Sequence, residues 1–452
     1  MSTKKGQIKL GAFLLNTGHH VAAWRHPDAQ ADGGLNLAHY RQAAQTAERA
    51  KFDMVFLADG VAVRRDHNLE SLSRYGQIVH FEPLTLLSAL AAVTEHVGLV
   101  ATASTTYNEP YHIARKFASL DYLSNGRAGW NVVTSATDAE AKNFNREQHM
   151  DHALRYERAR EFLQVVKGLW DSWDDDAFLR DKETGIYIDT AKLHTLNHKG
   201  KHFSVHGPLN VARPLQGYPV IVQAGASDDG QDFAASTAEV IFTAQQTLAD
   251  AQAFYAGIKG RLAAYGRSPE HLKIMPGIFP VIGRTAEDAR AKYEQLQALI
   301  HPSVGLALLS GNVGGFDLSG YPLDGPLPDL PETNLNKSRL KLVTDLARRE
   351  NLTIRQLYLA IAGARGHRTI WGTPEQIADE LEGWFVNHAA DGFNIMPPYL
   401  PGGLDEFVDL VVPILRQRGL FRSEYEGATL RENLGLPRPA NQFSAVPSSA
   451  LA

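Results

Sequence analysis

"GRAGWNVVTS", Gly126 to Ser135, reads as a strand with a fault in it. Trp130 and Asn131 stand where a plain core strand carries Val or Ile. A buried Asn has four hydrogen-bonding positions to satisfy, and leaving them empty costs roughly a few kcal/mol. Something polar must therefore lie at the end of this strand. Seven more apolar runs share its character: Gln7–Leu15, Asp53–Asp59, Val97–Thr105, Pro219–Gly225, Val240–Ala244, Lys273–Gly283 and Gly392–Pro398. Runs that are apolar almost throughout suit strands covered on both faces, and such strands are usually parallel.

Helical patterns fill the gaps. "LAHYRQAAQTAERAKF" sets Leu37, Tyr40, Ala44, Ala47 and Phe52 near one stripe, and "TAEDARAKYEQLQALI" opens on a Thr cap with acidic first-turn residues. Eight strands each followed by helix favour a (β/α)8 TIM barrel over an open doubly wound sheet. The turn "LLNTGHH" after the first strand lacks the glycine fingerprint of a dinucleotide fold. The barrel is read as one domain over residues 1–425, with insertions at about 172–218 and 301–373. These serve as lids, or equally as surface or subunit contacts. Residues 426–452 form a C-terminal extension ending in a loose tail.

The chain has 452 residues, 44% hydrophobic and 21% charged, and a length sufficient to bury a large core without staples. The net charge of −5, spread along the chain, argues against nucleic acid or an anionic membrane as the main partner. The absence of cysteine removes disulfides, thiolate metal sites and cysteine nucleophiles. With no signal peptide and no run of roughly 20 apolar residues, a cytoplasmic protein is expected.

In a barrel, the carboxyl ends of the strands face one mouth. Here they offer Asn16, Asp59, Thr105, Asn131, Ser135, Gln223 and Ser227, a set rich in neutral hydrogen-bonding groups and suited to a flat heteroaromatic ring. In "QAGASDDGQDFAA", Ser227 and the free amides of a starting helix can cradle a phosphate, or Ser227 is simply the cap. His152 and Tyr156, one turn apart, can reach the same anion. His194, His198, His202 and His206 recur every four residues, yet their Asn- and Gly-broken context reads as turn and strand, so no metal site is expected.

Taken in order, "FLAD" (Phe56–Asp59), "STTY" (Ser104–Tyr107), "LDYLSNGRAGWNVVTS" (Leu120–Ser135), the His152/Tyr156 helix, "NHKGKHFSVHGPL", the Ser227 segment and "DGFNI" resemble one family. It is the flavin-dependent monooxygenases that include nitrilotriacetate, dibenzothiophene-sulfone and long-chain alkane monooxygenases, a branch of the bacterial-luciferase-like superfamily. The likeness spans nearly the whole chain. It implies a two-component enzyme that takes reduced FMN from a separate NAD(P)H:FMN reductase and uses O2 to oxygenate a small organic substrate, as a homodimer or homotetramer. It implies that Asp59 and Thr105 hold the flavin's polar edges, that Asn131 faces the ring, and that Ser135 and Ala136 flank it. His152, Tyr156, Ala226 and Ser227 then serve the ribityl-phosphate end, and His20 and Gln77 line the substrate side. The chain departs from the alkane branch at Ala136, where that branch has His, near Thr17, where it has Cys, and near Arg64, where it has Tyr. Arg64 suits an anionic, sulfur- or nitrogen-containing substrate, or is an ordinary surface Arg. Two rival functions remain on the sequence: a deazaflavin-dependent dehydrogenase of the same superfamily, and a flavin-binding protein without turnover.

Overall fold

Eight parallel strands close into a ring in the computed structural model, which describes residues 6–63, 69–225, 227–331 and 337–443. The strands in chain order are β1 (Lys9–Phe13), β2 (Met54–Leu57), β3 (Gly98–Ser104), β4 (Ala128–Val133), β5 (His198–Lys199), β6 (Ser204–Val205), β7 (Val220–Gln223), β8 (Val240–Thr243), β9 (Lys273–Ile282), β10 (Arg368–Gly372) and β11 (Gly392–Ile395). The ring runs β1-β2-β3-β4-β7-β8-β9-β11 and returns to β1 through the register Lys9↔Gly392. These are the eight runs read from the sequence, and the fold is the expected (β/α)8 barrel.

Alternation along β4 explains its odd composition. Trp130 points outward, where its ring meets Phe117, Phe162 and Trp170 of the surrounding helices at 5.5, 6.0 and 6.4 Å. Its indole N–H donates to the Ala103 carbonyl at 3.0 Å, so the buried ring leaves no polar atom unmet. Asn131 points inward with the barrel's own filling of Phe13, Phe56, Val100, Val222, Phe242 and Met275. Helix starts follow their caps. Thr285 accepts from the Asp288 amide at 3.2 Å, and Glu82 accepts from Leu84 and Thr85 ahead of Pro83–Ala91. In the first helix Tyr40, Ala44, Ala47 and Phe52 are buried as their stripe requires, but Leu37 is largely exposed.

The segments beyond a plain barrel are more regular than their composition suggests. Residues 172–218 carry the small β5–β6 hairpin, paired antiparallel at His198↔Val205. Within the 301–373 insertion lie helices Pro302–Asn312, Lys337–Glu350 and Ile354–Ile361. Val304, Leu308, Leu309, Leu357 and Ile361 close over Val21 and Ala22 of the loop after β1. Burial of that apolar set outweighs the weak helix propensity of Gly305 and Gly311. The segment also supplies β10, a strand unforeseen from the sequence, which pairs with β9 alone.

The C-terminal extension, the chain just ahead of it and the described part of the tail read as loose are all tied down. Leu430 enters the barrel floor beneath Gly98, where any β-carbon would collide with it. Arg422 pairs with Asp53, and Arg431 with Glu239. Farther on, Asn441 donates to the Asp171 and Trp173 carbonyls, and the Phe443 ring stacks on His194 at 5.0 Å. Among the described residues no helix is long and apolar enough to cross a membrane.

Candidate active site

At the carboxyl end of β7 the chain passes Gly225 and starts the helix Asp228–Thr237. Ser227 caps it, its hydroxyl accepting from the Gly230 amide at 3.2 Å. The His152 Nε2 stands 3.5 Å from that same hydroxyl, while its Nδ1 lies 3.3 Å from the Asp229 carboxylate. Gly225 and Gly230 pack backbone to backbone, and a β-carbon on Gly230 would sit 3.0 Å from the Tyr156 hydroxyl and 3.1 Å from that of Ser227. Two hydroxyls, an imidazole and a helix start thus converge on a spot that only glycine leaves open. Ala226 lies outside the described residues.

The centre of the mouth belongs to β3 and β4. Asn131 donates from Nδ2 to the Thr102 hydroxyl at 2.8 Å, and Thr102 donates to the Leu57 carbonyl at 2.7 Å. Asn131 Oδ1 is buried with no hydrogen-bond partner. Ser135 holds a left-handed backbone, φ 58°, unusual for a residue with a side chain. Two contacts keep it there. Its hydroxyl donates to Ser104 at 2.9 Å, and its carbonyl accepts from the buried Arg155 at 2.7 Å. Arg155 also donates to His149 Nε2 at 2.8 Å, so the imidazole carries its proton on Nδ1 and gives it to the Tyr107 oxygen, 2.5 Å away. Burial, reinforced by Arg155, holds the His149 pKa below the usual imidazole range, and burial pushes the Tyr107 phenol up to about 12.

The other expected residues fall around this centre. Asp59 Oδ1 is 3.1 Å from His80 Nε2. The Thr105 hydroxyl donates to the Val133 carbonyl at 3.2 Å, and the Thr105 carbonyl accepts from Arg158. The Ala136 amide is taken by Glu140 at 3.1 Å. Gln223 donates to Thr237 at 2.8 Å, and Asn16 to the Val79 carbonyl at 2.9 Å. The four spaced histidines do not share a centre: His194, His198 and His202 meet Asp174, Glu161 and Glu157 in turn, at 3.0, 3.0 and 2.9 Å.

Across the mouth, the loop after β1 carries His19 and His20, both fully buried. His20 accepts from the Ala22 amide on Nδ1, which leaves Nε2–H to donate to Gln297 at 3.0 Å. Burial presses its pKa down to about 4, so the ring is neutral. His19 Nε2–H donates to the Phe13 carbonyl at 3.0 Å. Gln77 donates to the Gly18 carbonyl at 2.8 Å and accepts from the Tyr75 hydroxyl and from Arg365. Arg64 lies outside the described residues. Arg365 and His367 escaped the sequence reading, because the segment Ala362–His367 reached the mouth only through a helical insertion read as loop. The His367 ring stacks on Phe242 at 4.7 Å. Ser104 and Arg155 were also missed. Each acts through a backbone conformation that no residue pattern announces.

The profile of luciferase-like monooxygenases matches residues 15–392. The N-acetyl-S-(2-succino)cysteine monooxygenase of Bacillus subtilis (strain 168) is 60% identical, over 98% of this chain and 100% of its own. Nitrilotriacetate monooxygenase component A of Aminobacter aminovorans is 55% identical, over 97% of this chain and 98% of its own. The crystal structure of a riboflavin lyase, solved with modified FMN and riboflavin, superposes with a TM-score of 0.87 at 33% identity, over 96% of this chain and 97% of its own.

Proposed function

The chain belongs to the luciferase-like monooxygenase family, and from that premise we propose that it is the oxygenase component of a two-component, FMN-dependent system. It takes reduced FMN from a separate NAD(P)H:FMN reductase and oxygenates an anionic substrate built on a sulfur or nitrogen atom. The rival readings give way to a monooxygenase because relatives at 60% and 55% identity carry that activity in their names. The name "component A" of one relative supports the division of labour. N-acetyl-S-(2-succino)cysteine and nitrilotriacetate each carry three carboxylates about one S or N atom, which supports the substrate class.

One observation carries the cofactor: Ser227 Oγ, His152 Nε2, Tyr156 Oη and the Gly230 amide surround a single glycine-lined spot at a helix start. The residues present fit FMN. Its phosphate would accept from the Ser227 and Tyr156 hydroxyls and from the first amides of the helix Asp228–Thr237, with His152 beside them, at roughly 1.5–3 kcal/mol for each hydrogen bond to a charged group. The ring would lie over Asn131, whose bare Oδ1 can accept a flavin N–H, between Asp59 and Thr105 on one side and Ser135 and Ala136 on the other. Ala226 would flank the ribityl chain. Bound reduced FMN would supply the activation of O2 for transfer of one oxygen atom. The chain's own residues then bind and orient. Arg155 fixes the Ser135 turn through its carbonyl, the neutral His149 is kept in one tautomer, and His20, Gln77 and Arg64 border the substrate. The 1–425 barrel with its insertions works as one domain, as a homodimer or homotetramer.

The test couples the full chain to an FMN reductase, NADH and oxygen. N-acetyl-S-(2-succino)cysteine and nitrilotriacetate are added separately. Substrate-dependent oxygen uptake with product is expected from at least one. Anaerobic titration that detects no binding of reduced FMN would remove the cofactor assignment.

A further inference from the structure

Five arginines are buried among the described residues: Arg127, Arg155, Arg213, Arg422 and Arg431. Three of them meet a carboxylate, Arg213 on Asp171, Arg422 on Asp53 and Arg431 on Glu239. Arg127 has none, but five oxygens of Ala91, Thr94, Val97 and Ser124 take its hydrogens. Arg155 has neither arrangement. It donates to the Ser135 carbonyl and to His149 Nε2, both neutral, and its Nε is buried without a partner. Glu140 and Asp151 are the carboxylates whose fields reach it, and neither forms an ion pair with it. Glu140 is spent instead on the amides of Ala136 and Thr137, both at 3.1 Å. Tyr107 adds no negative charge, because burial keeps its phenol protonated, and the His149 ring is neutral. A buried charge without a counter-charge is costly, and proteins keep such a cost where function uses it.

Its place in the fold says which anion completes it. Arg155 stands in the first turn of the helix His152–Trp170, beside the two cradle residues of that turn. Tyr156 turns to Gly230, whereas Arg155 turns to the left-handed Ser135. Ser135 flanks the flavin ring in the function proposed above, so the guanidinium lies one carbonyl behind that ring. Away from water a charge acts across several ångströms without contact. The phosphate is common to both redox forms of FMN, but only the reduced ring carries a negative charge at neutral pH. We propose that Arg155 is a positioning residue whose unpaired charge makes the site favour the reduced, anionic flavin over the oxidised one. The inference rests on the function proposed above and deepens it. An oxygenase component that receives reduced flavin from a reductase has to hold that form and let the oxidised form go.

The test is a ratio of two affinities, which a merely structural residue would not move. The full chain is titrated with oxidised FMN in air and with reduced FMN anaerobically. Riboflavin, which lacks the phosphate, is titrated in both states as a second probe. Wild type should bind reduced FMN about tenfold or more tightly than oxidised FMN, and riboflavin should show the same preference. Arg155→Gln, which can still donate to the Ser135 carbonyl but has no charge, should lower the ratio about fivefold. Arg155→Met carries the test if the Gln variant does not fold. Arg155→Lys, which keeps the charge, should stay within about twofold of the wild-type ratio. The proposal is overturned by a wild type without redox preference, by a preference that vanishes with riboflavin, or by a wild-type ratio in the neutral variants. A ratio lost as fully in the Lys variant as in the neutral ones also overturns it. Each of these leaves the cofactor assignment standing, since flavin still binds. Wild type that binds no reduced FMN would remove the proposed function, and this inference with it.

Discussion

The two ends of the barrel are built on opposite rules. At the floor the buried charges are paired, and Arg431 Nε is the one floor atom among those described that is buried without a hydrogen-bond partner. Asp53 meets Arg422 and accepts the Leu10 amide at 2.8 Å, Arg431 reaches Glu239 at 2.9 Å, and Lys259 reaches Asp391 at 3.0 Å. Leu430 fills the remaining space. At the mouth, Asn131 Oδ1, Thr17 Oγ1 and His19 Nδ1 are buried without hydrogen-bond partners. An unmet buried polar atom costs about 1–3 kcal/mol, so the mouth gives up stability that the floor keeps. The difference marks the mouth as the end arranged around a ligand, where barrel enzymes carry their chemistry.

Breaking the floor should have the largest effect. Arg422→Leu leaves Asp53 with Lys9 at 3.9 Å and the Leu10 amide as its remaining partners, and is expected to lose up to about 3 kcal/mol of stability. Thermal melting reads this, and FMN affinity of the surviving folded protein should be intact. A wild-type melt with lost FMN binding would reverse the roles given to the two ends.

The mouth should answer to acid through His20. Its folded pKa of about 4 is depressed from 6.5, so the unfolded chain takes up the proton first as pH falls. The neutral ring's stabilisation is complete above pH 6.5 and disappears as pH drops toward 4, by on the order of 3 kcal/mol. Urea midpoints across this window should slope less steeply in His20→Asn; parallel slopes would discard the assignment.

Smaller effects sharpen the contrast. Tyr156→Phe should weaken FMN binding about tenfold with an unchanged melt, since a hydrogen bond to a charged group contributes roughly 1.5–3 kcal/mol. Ser227→Ala should do the same and also lose about 1 kcal/mol with the helix cap. FMN affinity equal to that of the wild type in both variants, measured by fluorescence titration, would disprove the cradle. Least of all, Asn131→Val should leave the ligand-free melt unchanged or raise it by up to about 1 kcal/mol, because it deletes an unmet acceptor. FMN binding should weaken in the same variant. A clear loss of stability without FMN would show that Asn131 is structural.

Much of this was legible in the residues. All eight barrel runs stood out because strands buried on both faces read as unbroken apolar stretches. Trp130 beside Asn131 announced a polar object, since adjacent positions on a strand face opposite ways. Ser227, His152 and Tyr156 were found by helix-start chemistry and one-turn spacing, and they meet as that spacing allows. The helices at 302–361 were hidden because their apolar faces cover the β1 loop, a partner some 280–340 residues away in the chain. Arg365 was hidden with them. The floor was missed for the same reason, as Arg422 and Asp53 are 369 positions apart.

By itself, then, the sequence determined what periodicity and local chemistry encode: a ring of eight buried strands, capped helices and a phosphate-suited helix start. The tertiary structure decided which distant groups share a site: Arg155 on the Ser135 carbonyl, Arg365 against Gln77, Leu430 under the barrel. Local propensities act over a few residues, whereas these contacts exist only once closure of the ring has brought remote segments within hydrogen-bonding range.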